Sequence, residues 1–211
     1  MCGVFGFVSK NDGHVDMKTL RRIALVTETR GPHAWGIAWY DRDGELHMYK
    51  QTGRISESLD MLKIARDALL LIGHTRWATQ GTPEDNRNNH PHASDDGWYV
   101  HNGTIPSYRR LIHTHQLVPR TDCDSEVIGL LMDQHSSVSR LDRCIYAANV
   151  TGERPFAMLG LWPGELVMVR KNNPLHRGET KKGIYFGSLA GGLPNAEAVP
   201  NNRANSYTIS G

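Results

Sequence analysis

The residue with the most unusual chemical prospects in this chain is the cysteine at position 2. Initiator methionine is commonly removed before a small second residue, which would leave Cys2 carrying both a thiol and a free α-amine. The amine titrates near about 7.7–8.0 and the thiol near about 8.5, so one group can take the other's proton, directly or through one water. Three further segments could serve such a nucleophile. In Gly73-His74-Thr75-Arg76-Trp77-Ala78-Thr79, Arg76 can offer two parallel N–H donors to a carboxylate while Trp77 covers an apolar stem. His101-Asn102-Gly103 sets a side-chain amide beside a glycine N–H, a donor pair suited to a developing oxyanion. Asp122-Cys123-Asp124-Ser125-Glu126 opens a helical pattern, where Asp124 can pair with an ammonium group. Each has an ordinary alternative: a buried strand cysteine, a surface arginine with a core tryptophan, a plain Asn-Gly turn, and a helix cap.

Positioning these residues falls to elements the hydrophobic pattern predicts. Residues 2–9 read as a buried strand, and 16–29 as a helix through Leu20, Ile23 and Ala24. Residues 34–40 and 46–50 flank the turn Asp41-Arg42-Asp43-Gly44 and read as a hairpin. An amphipathic helix over 56–69, through Leu59, Leu62, Ile64 and Ala65, leads into a strand ending at His74. From 76 to 96 the chain is rich in Asn, Asp, Pro and His, which predicts a long loop forming a lid or pocket wall. A strand over 98–101 precedes helices over 107–113, 124–134 and 139–148. Residues 155–162, 166–171 and 183–188 return to β, with Pro163-Gly164 as a turn. The expected organisation is one α+β domain over 1–193 and a polar, frayed tail over 194–211.

Composition narrows the functions open to it. The 211 residues suit one compact domain, and 24 Lys+Arg against 22 Asp+Glu leave a net charge of +2, which supports no nucleic-acid partner. The longest apolar runs, such as 68–72, fall short of a membrane span, and the N-terminus lacks the pattern of a targeting peptide. A cytoplasmic protein with no membrane partner is expected. Cys2, Cys123 and Cys144 cannot all pair and match no metal-knuckle or CxxC spacing, so free thiols are expected. His90-Pro91-His92 and His113-Thr114-His115 could each present two imidazoles, with His74 and His101 as further candidates. No carboxylate or cysteine accompanies them at metal-site spacing, so no metal is expected. The glycine-rich run 187–192 lacks the Lys and following helix of a phosphate loop, so no cofactor is expected either.

Taken together, the motifs resemble the class II glutamine amidotransferases, which are N-terminal-nucleophile hydrolases. The resemblance runs from Cys2 to about Leu193. It rests on Cys2-Gly3-Val4-Phe5-Gly6, Arg30-Gly31 before Gly36-Ile37-Ala38, His74-Thr75-Arg76-Trp77-Ala78-Thr79, Asn89-His90-Pro91-His92, His101-Asn102-Gly103 and Asp124-Ser125-Glu126, in the family's order. It is nearest to the glutaminase domain of glucosamine-6-phosphate synthase, with the amidophosphoribosyltransferase domain next. The resemblance implies a four-layer α/β/β/α sandwich with mainly antiparallel sheets. It implies that Cys2 attacks the glutamine amide to give a γ-glutamyl thioester and ammonia, and that Asn102 and Gly103 form the oxyanion hole. Arg76 would hold the substrate carboxylate and Asp124 its ammonium, with Trp77 and Thr79 lining the pocket and Arg30, Gly31 and His90 counted with the substrate-binding set. The chain departs from the family at His33-Ala34, where Asp-Ser is usual, and at Gln80, where the sugar-aminating branch usually has His. Residues 194–211 are too few for an acceptor domain, so the resemblance implies a stand-alone glutaminase whose ammonia goes to a synthase or nucleotide-modifying partner on another chain. A homo-oligomer is compatible with it. An amidohydrolase of the same fold acting on another γ-glutamyl or small amide, and a non-catalytic glutamine-sensing subunit, are the alternatives.

Overall fold

Seven-residue apolar strands make the frame. The computed structural model describes residues 1–11 and 13–209. Its strands are β1 (Gly3–Ser9), β2 (Ala34–Tyr40), β3 (Leu46–Thr52), β4 (Leu70–Arg76), β5 (His92–Ser94), β6 (Gly97–Gly103), β7 (Phe156–Trp162), β8 (Glu165–Lys171), β9 (His176–Thr180), β10 (Gly183–Gly187), β11 (Glu197–Ala198) and β12 (Arg203–Thr208). The helices are α1 (Met17–Glu28), α2 (Tyr108–His115), α3 (Glu126–Gln134) and α4 (Arg140–Val150). One sheet runs β11-β9-β10-β1-β4-β2-β3 and the other β12-β8-β7-β6-β5, and neighbouring strands in both are antiparallel.

Side-chain alternation turns these sheets into layers. In β1, Val4 and Val8 point to one face and Phe5 and Phe7 to the other, as a two-residue period requires. The first pair joins Ile72, Val100, Leu159 and Phe186 in a core between the two sheets. Phe5 and Phe7 instead pack with Leu20, Ile23 and Leu62, beneath α1 and the segment Ile55–Ala65. A third cluster, including Tyr99, Ile128, Leu131, Ala147 and Val167, joins the second sheet to α2, α3 and α4. The order is therefore α/β/β/α, as the resemblance implied. No helix among the described residues is long and apolar enough to cross a membrane.

Three expectations need correction. The helix over 56–69 is instead a 3₁₀ segment, Ile55–Ala65, broken at Ser58 (φ −135°, ψ 31°). Ser58 Oγ accepts from Trp35 Nε1 at 3.1 Å and Ser56 N–H donates to Glu28 at 2.7 Å, so side-chain bonds compete with a regular helix. The tail does not fray: β12 pairs with β8 along its whole length, and the Tyr207 ring packs 5.1 Å from Phe186. A polar strand is stable there because an edge strand keeps one face in water. The final two residues of that tail, 210 and 211, lie outside the described residues. Nor is the stretch 76–96 loop throughout: 77–87 stays largely at the surface, with Trp77 and Thr79 on a cavity wall, but Asn88, Asn89, His90 and His92 are buried and β5 lies near its end.

Candidate active site

Cys2 stands at the head of β1, an interior strand flanked by β10 and β4. Val4 N–H donates to Ser188 Oγ and Ser188 N–H to Val4 O, both at 2.9 Å, which fastens the strand's first turn of chain. Pairing of Gly3 with Thr75 in β4 then brings Cys2 alongside Trp77. Trp77 N–H donates to Cys2 Sγ at 3.3 Å, and Trp77 O lies 3.5 Å away as an acceptor for the thiol. Arg30 Nε–H donates to Cys2 O at 2.7 Å, so Arg30 holds the Cys2 backbone rather than lining the pocket. Gly31 is required by packing: a Cβ there would lie 2.4 Å from Arg76 C and 2.5 Å from Trp77 N. His33 has taken up a positioning role in this turn. Its Nδ1 accepts from Ala78 N–H at 3.1 Å and its ring lies 4.9 Å from that of Trp77.

The opposite wall comes from the end of β6. Asn102 is buried, its backbone O accepts from Asn173 Nδ2 at 2.5 Å, and its own Nδ2 has no protein partner. Gly103 has no room for a side chain, because a Cβ would meet His101 Nε2 at 2.5 Å and Pro155 O at 2.7 Å. A cavity of about 200 Å³ gathers Cys2, Trp77, Thr79, Asn102 and Gly103, with Met1, Thr104, Arg154, Pro155 and Asn173 completing its lining. That size is below the range of drug-sized ligand sites and suits a small metabolite. Thr104, Arg154 and Asn173 had carried no sequence signal, since no motif around them marks a pocket.

Arg76 and Asp124 lie behind this lining, both buried. Three of the five Arg76 N–H donors go to Asn89 Oδ1 (2.7 Å), Gly81 O (2.9 Å) and Gln80 O, leaving Nε–H and one Nη1–H without a partner among the described residues. Asp124 is not the cap of α3, which is Ser125; its Oδ2 accepts from Ile105 N–H at 2.7 Å. Burial raises the Asp124 carboxyl, opposed by the Ile105 N–H and the charge of Arg76. Burial likewise pushes the Cys2 thiol above its ordinary 9.0, while the Trp77 N–H and Arg76 draw it down and Asp124 draws it up. A protonated thiol in this setting needs a base to become a nucleophile. With one, a thiol beside an unpaired amide donor can attack a carbonyl carbon and stabilise the resulting oxyanion.

His90 does not reach the cavity. It stacks on His74 at 4.0 Å and meets His92 edge-on at 4.4 Å. His74 Nε2–H donates to His101 O at 3.0 Å, and His101 Nδ1 lies 2.9 Å from Ser125 Oγ. Burial drives His74 and His101 down to about 3, so both are neutral and serve as braces between β4, β6 and α3.

Comparison with known proteins agrees with this fold. Residues 1–149 match the family model for class II glutamine amidotransferases. Glutamine–fructose-6-phosphate aminotransferase (isomerizing) of Sulfolobus acidocaldarius is 31% identical over 89% of this chain, and that of Clostridium acetobutylicum 32% identical over 89%. The chain spans only 33% and 31% of those two proteins' lengths. Among solved structures, the glutamine phosphoribosylpyrophosphate amidotransferase of Bacillus subtilis superposes on 98% of this chain and 49% of its own, with a TM-score of 0.78 at 20% identity. A class II domain protein from Silicibacter pomeroyi is matched over 100% of both chains, with a TM-score of 0.65 at 13% identity. At such identities the structural matches speak for the fold alone, and the N-terminal-nucleophile sandwich is the fold they share. With its family model covering residues 1–149, this chain belongs to the class II glutamine amidotransferases.

Proposed function

We propose that the domain hydrolyses the side-chain amide of glutamine at Cys2 and releases ammonia to an acceptor enzyme on another chain. Removal of Met1 frees the Cys2 α-amine, which takes the thiol proton. The thiolate adds to the amide carbon, and the oxyanion accepts from Asn102 Nδ2 and Gly103 N–H. The ammonium passes its proton to the departing nitrogen, leaving ammonia and a γ-glutamyl thioester that water cleaves to glutamate. An unpartnered N–H of Arg76 binds the substrate carboxylate, Asp124 binds its ammonium, and Trp77 and Thr79 close over it. Arg30 and His33 act by placing Cys2 and Trp77. The observation that carries this reading is the buried, unpartnered Asn102 Nδ2 in the same cavity as Cys2, a donor held ready for charge that develops only during reaction.

The working unit in this reading is residues 1–193, with the C-terminal strand as an added edge, and the three unpaired cysteines suit a cytoplasmic setting. A glutamine-sensing role is favoured only for a form that keeps Met1, where the Cys2 nitrogen is an amide and the buried thiol has no adjacent base. Intact mass before and after 6-diazo-5-oxo-norleucine, with Cys2→Ala as control, separates the two. Loss of the Met1 mass and one adduct confined to the wild type supports the enzyme. A retained Met1 and no adduct overturns it.

A further inference from the structure

We propose that His90, His92 and Cys123 form a buried binding site for one thiophilic cation of the Zn²⁺/Cu⁺ class. One ligand atom from each residue lies within 4.8 Å of the other two, and all three residues are buried. Neither ring nitrogen of His90 has a protein partner, nor does Nε2 of His92. Cys123 Sγ makes a long contact of 4.0 Å with Asp124 Oδ1 and is also approached by the backbone and hydroxyl of Ser125. Buried polar atoms are almost always satisfied, so an orphan ring nitrogen on each of two adjacent histidines, beside a thiol, calls for an occupant. His90 and His92 come from the inward-folded segment before and at the start of β5, and Cys123 from the approach to α3, so the cation would clamp these two elements together.

The donor set chooses the metal class. Two imidazole nitrogens and a thiolate suit zinc or monovalent copper, whereas magnesium and calcium require a shell of oxygens. Binding exchanges the Cys123 thiol proton for the metal, and that proton leaves to solvent. Arg76 exerts its positive charge on both histidines and Lys50 on His92, which favours a low net charge at the site. Cu⁺ with one thiolate is neutral. Zn²⁺ with one thiolate is left at +1, which the Asp124 carboxylate beside Cys123 can balance. A hollow of about 450 Å³ lined by His92, Lys50, Arg87, Glu126 and Asp133 leads to His92 from the surface. Because Cys123 lies far along the chain from the His-Pro-His run, spacing alone could not join them. The inference does not depend on the amidotransferase reading, and its test uses no glutamine.

The full-length Cys2→Ala/Cys144→Ala protein retains Cys123 as its one thiol. Titration with Co²⁺, as a spectroscopic stand-in for Zn²⁺, is expected to saturate at one equivalent with a thiolate-to-cobalt charge-transfer band that Zn²⁺ abolishes. A parallel anaerobic titration with Cu⁺ shows which cation the site prefers. Adding Cys123→Ser should remove the band and weaken binding by more than the roughly 10–100-fold that an outer-shell change costs. His92→Asn should weaken binding while keeping the band. Equal binding after Cys123→Ser overturns the assignment. So does wild-type protein that retains neither metal by elemental analysis after loading and dialysis, a measurement that needs no variant to fold.

Discussion

Two thiols in one domain meet opposite surroundings. Cys2 faces a cavity and is flanked by a backbone N–H and an unpaired amide donor. Cys123 lies beside two imidazoles that carry unpartnered ring nitrogens, both of His90 and Nε2 of His92. Burial raises both, Cys123 to about 12, so the direction of the shift does not distinguish them. The neighbours do. Hydrogen-bond donors around a sulfur stabilise negative charge forming on or beside it, which is what a nucleophile acting on a carbonyl needs. Lone pairs gathered around a sulfur stabilise a cation, which is what a metal ligand needs.

The largest expected effect sets the two sulfurs apart outright: Cys2→Ala should abolish ammonia release from glutamine while leaving the cation titration intact. An ammonia assay that finds activity in this variant breaks the distinction. Next, Asn102→Ala should lower kcat by about 10²–10³ with little change in KM. The same change removes a buried donor that has no partner, so its Tm should hold or rise; a shift in KM instead of kcat would make Asn102 a ground-state contact. Asn173→Ala frees the Asn102 backbone without touching its amide, and should cost up to about 10²-fold in kcat. Steady-state kinetics showing no loss would leave Asn173 a mere filler of the wall. The smallest effect concerns pH. His101 drops from 6.5 to about 3 on folding, so between those values the unfolded chain holds the extra proton and stability falls as pH falls. The slope is about 1.4 kcal/mol per pH unit. Denaturant unfolding of His101→Gln should lose that slope, and an unchanged slope refutes the assignment.

Much of this was legible in the sequence because the informative residues are contiguous. Cys2, Arg76-Trp77 and Asn102-Gly103 each lie at or beside the end of a strand whose apolar run is plain, and strand ends converge in an antiparallel sandwich. What stayed hidden depends on long-range contact. Asn173 meets Asn102 from 71 positions away, with no motif to announce it. Arg30 and His90 were grouped with the pocket by resemblance, yet one holds the Cys2 carbonyl and the other packs on His74. At His33 the departure from the family's Asp proves constructive, since an imidazole nitrogen supplies the acceptor that Ala78 N–H requires. β12 was invisible because an edge strand exposes one face and carries too few apolar residues to show a period.

The place of β1 in its sheet has a consequence for heat inactivation. Its amides bond to β4 on one side and β10 on the other, so they exchange with solvent deuterium only when the sheet as a whole opens. Cys2 is anchored to this interior strand, whereas Trp77, 46% exposed, stands at its rim. Thermal loss of the Cys2 site should therefore coincide with global melting, with no partially inactivated, still-folded species preceding it.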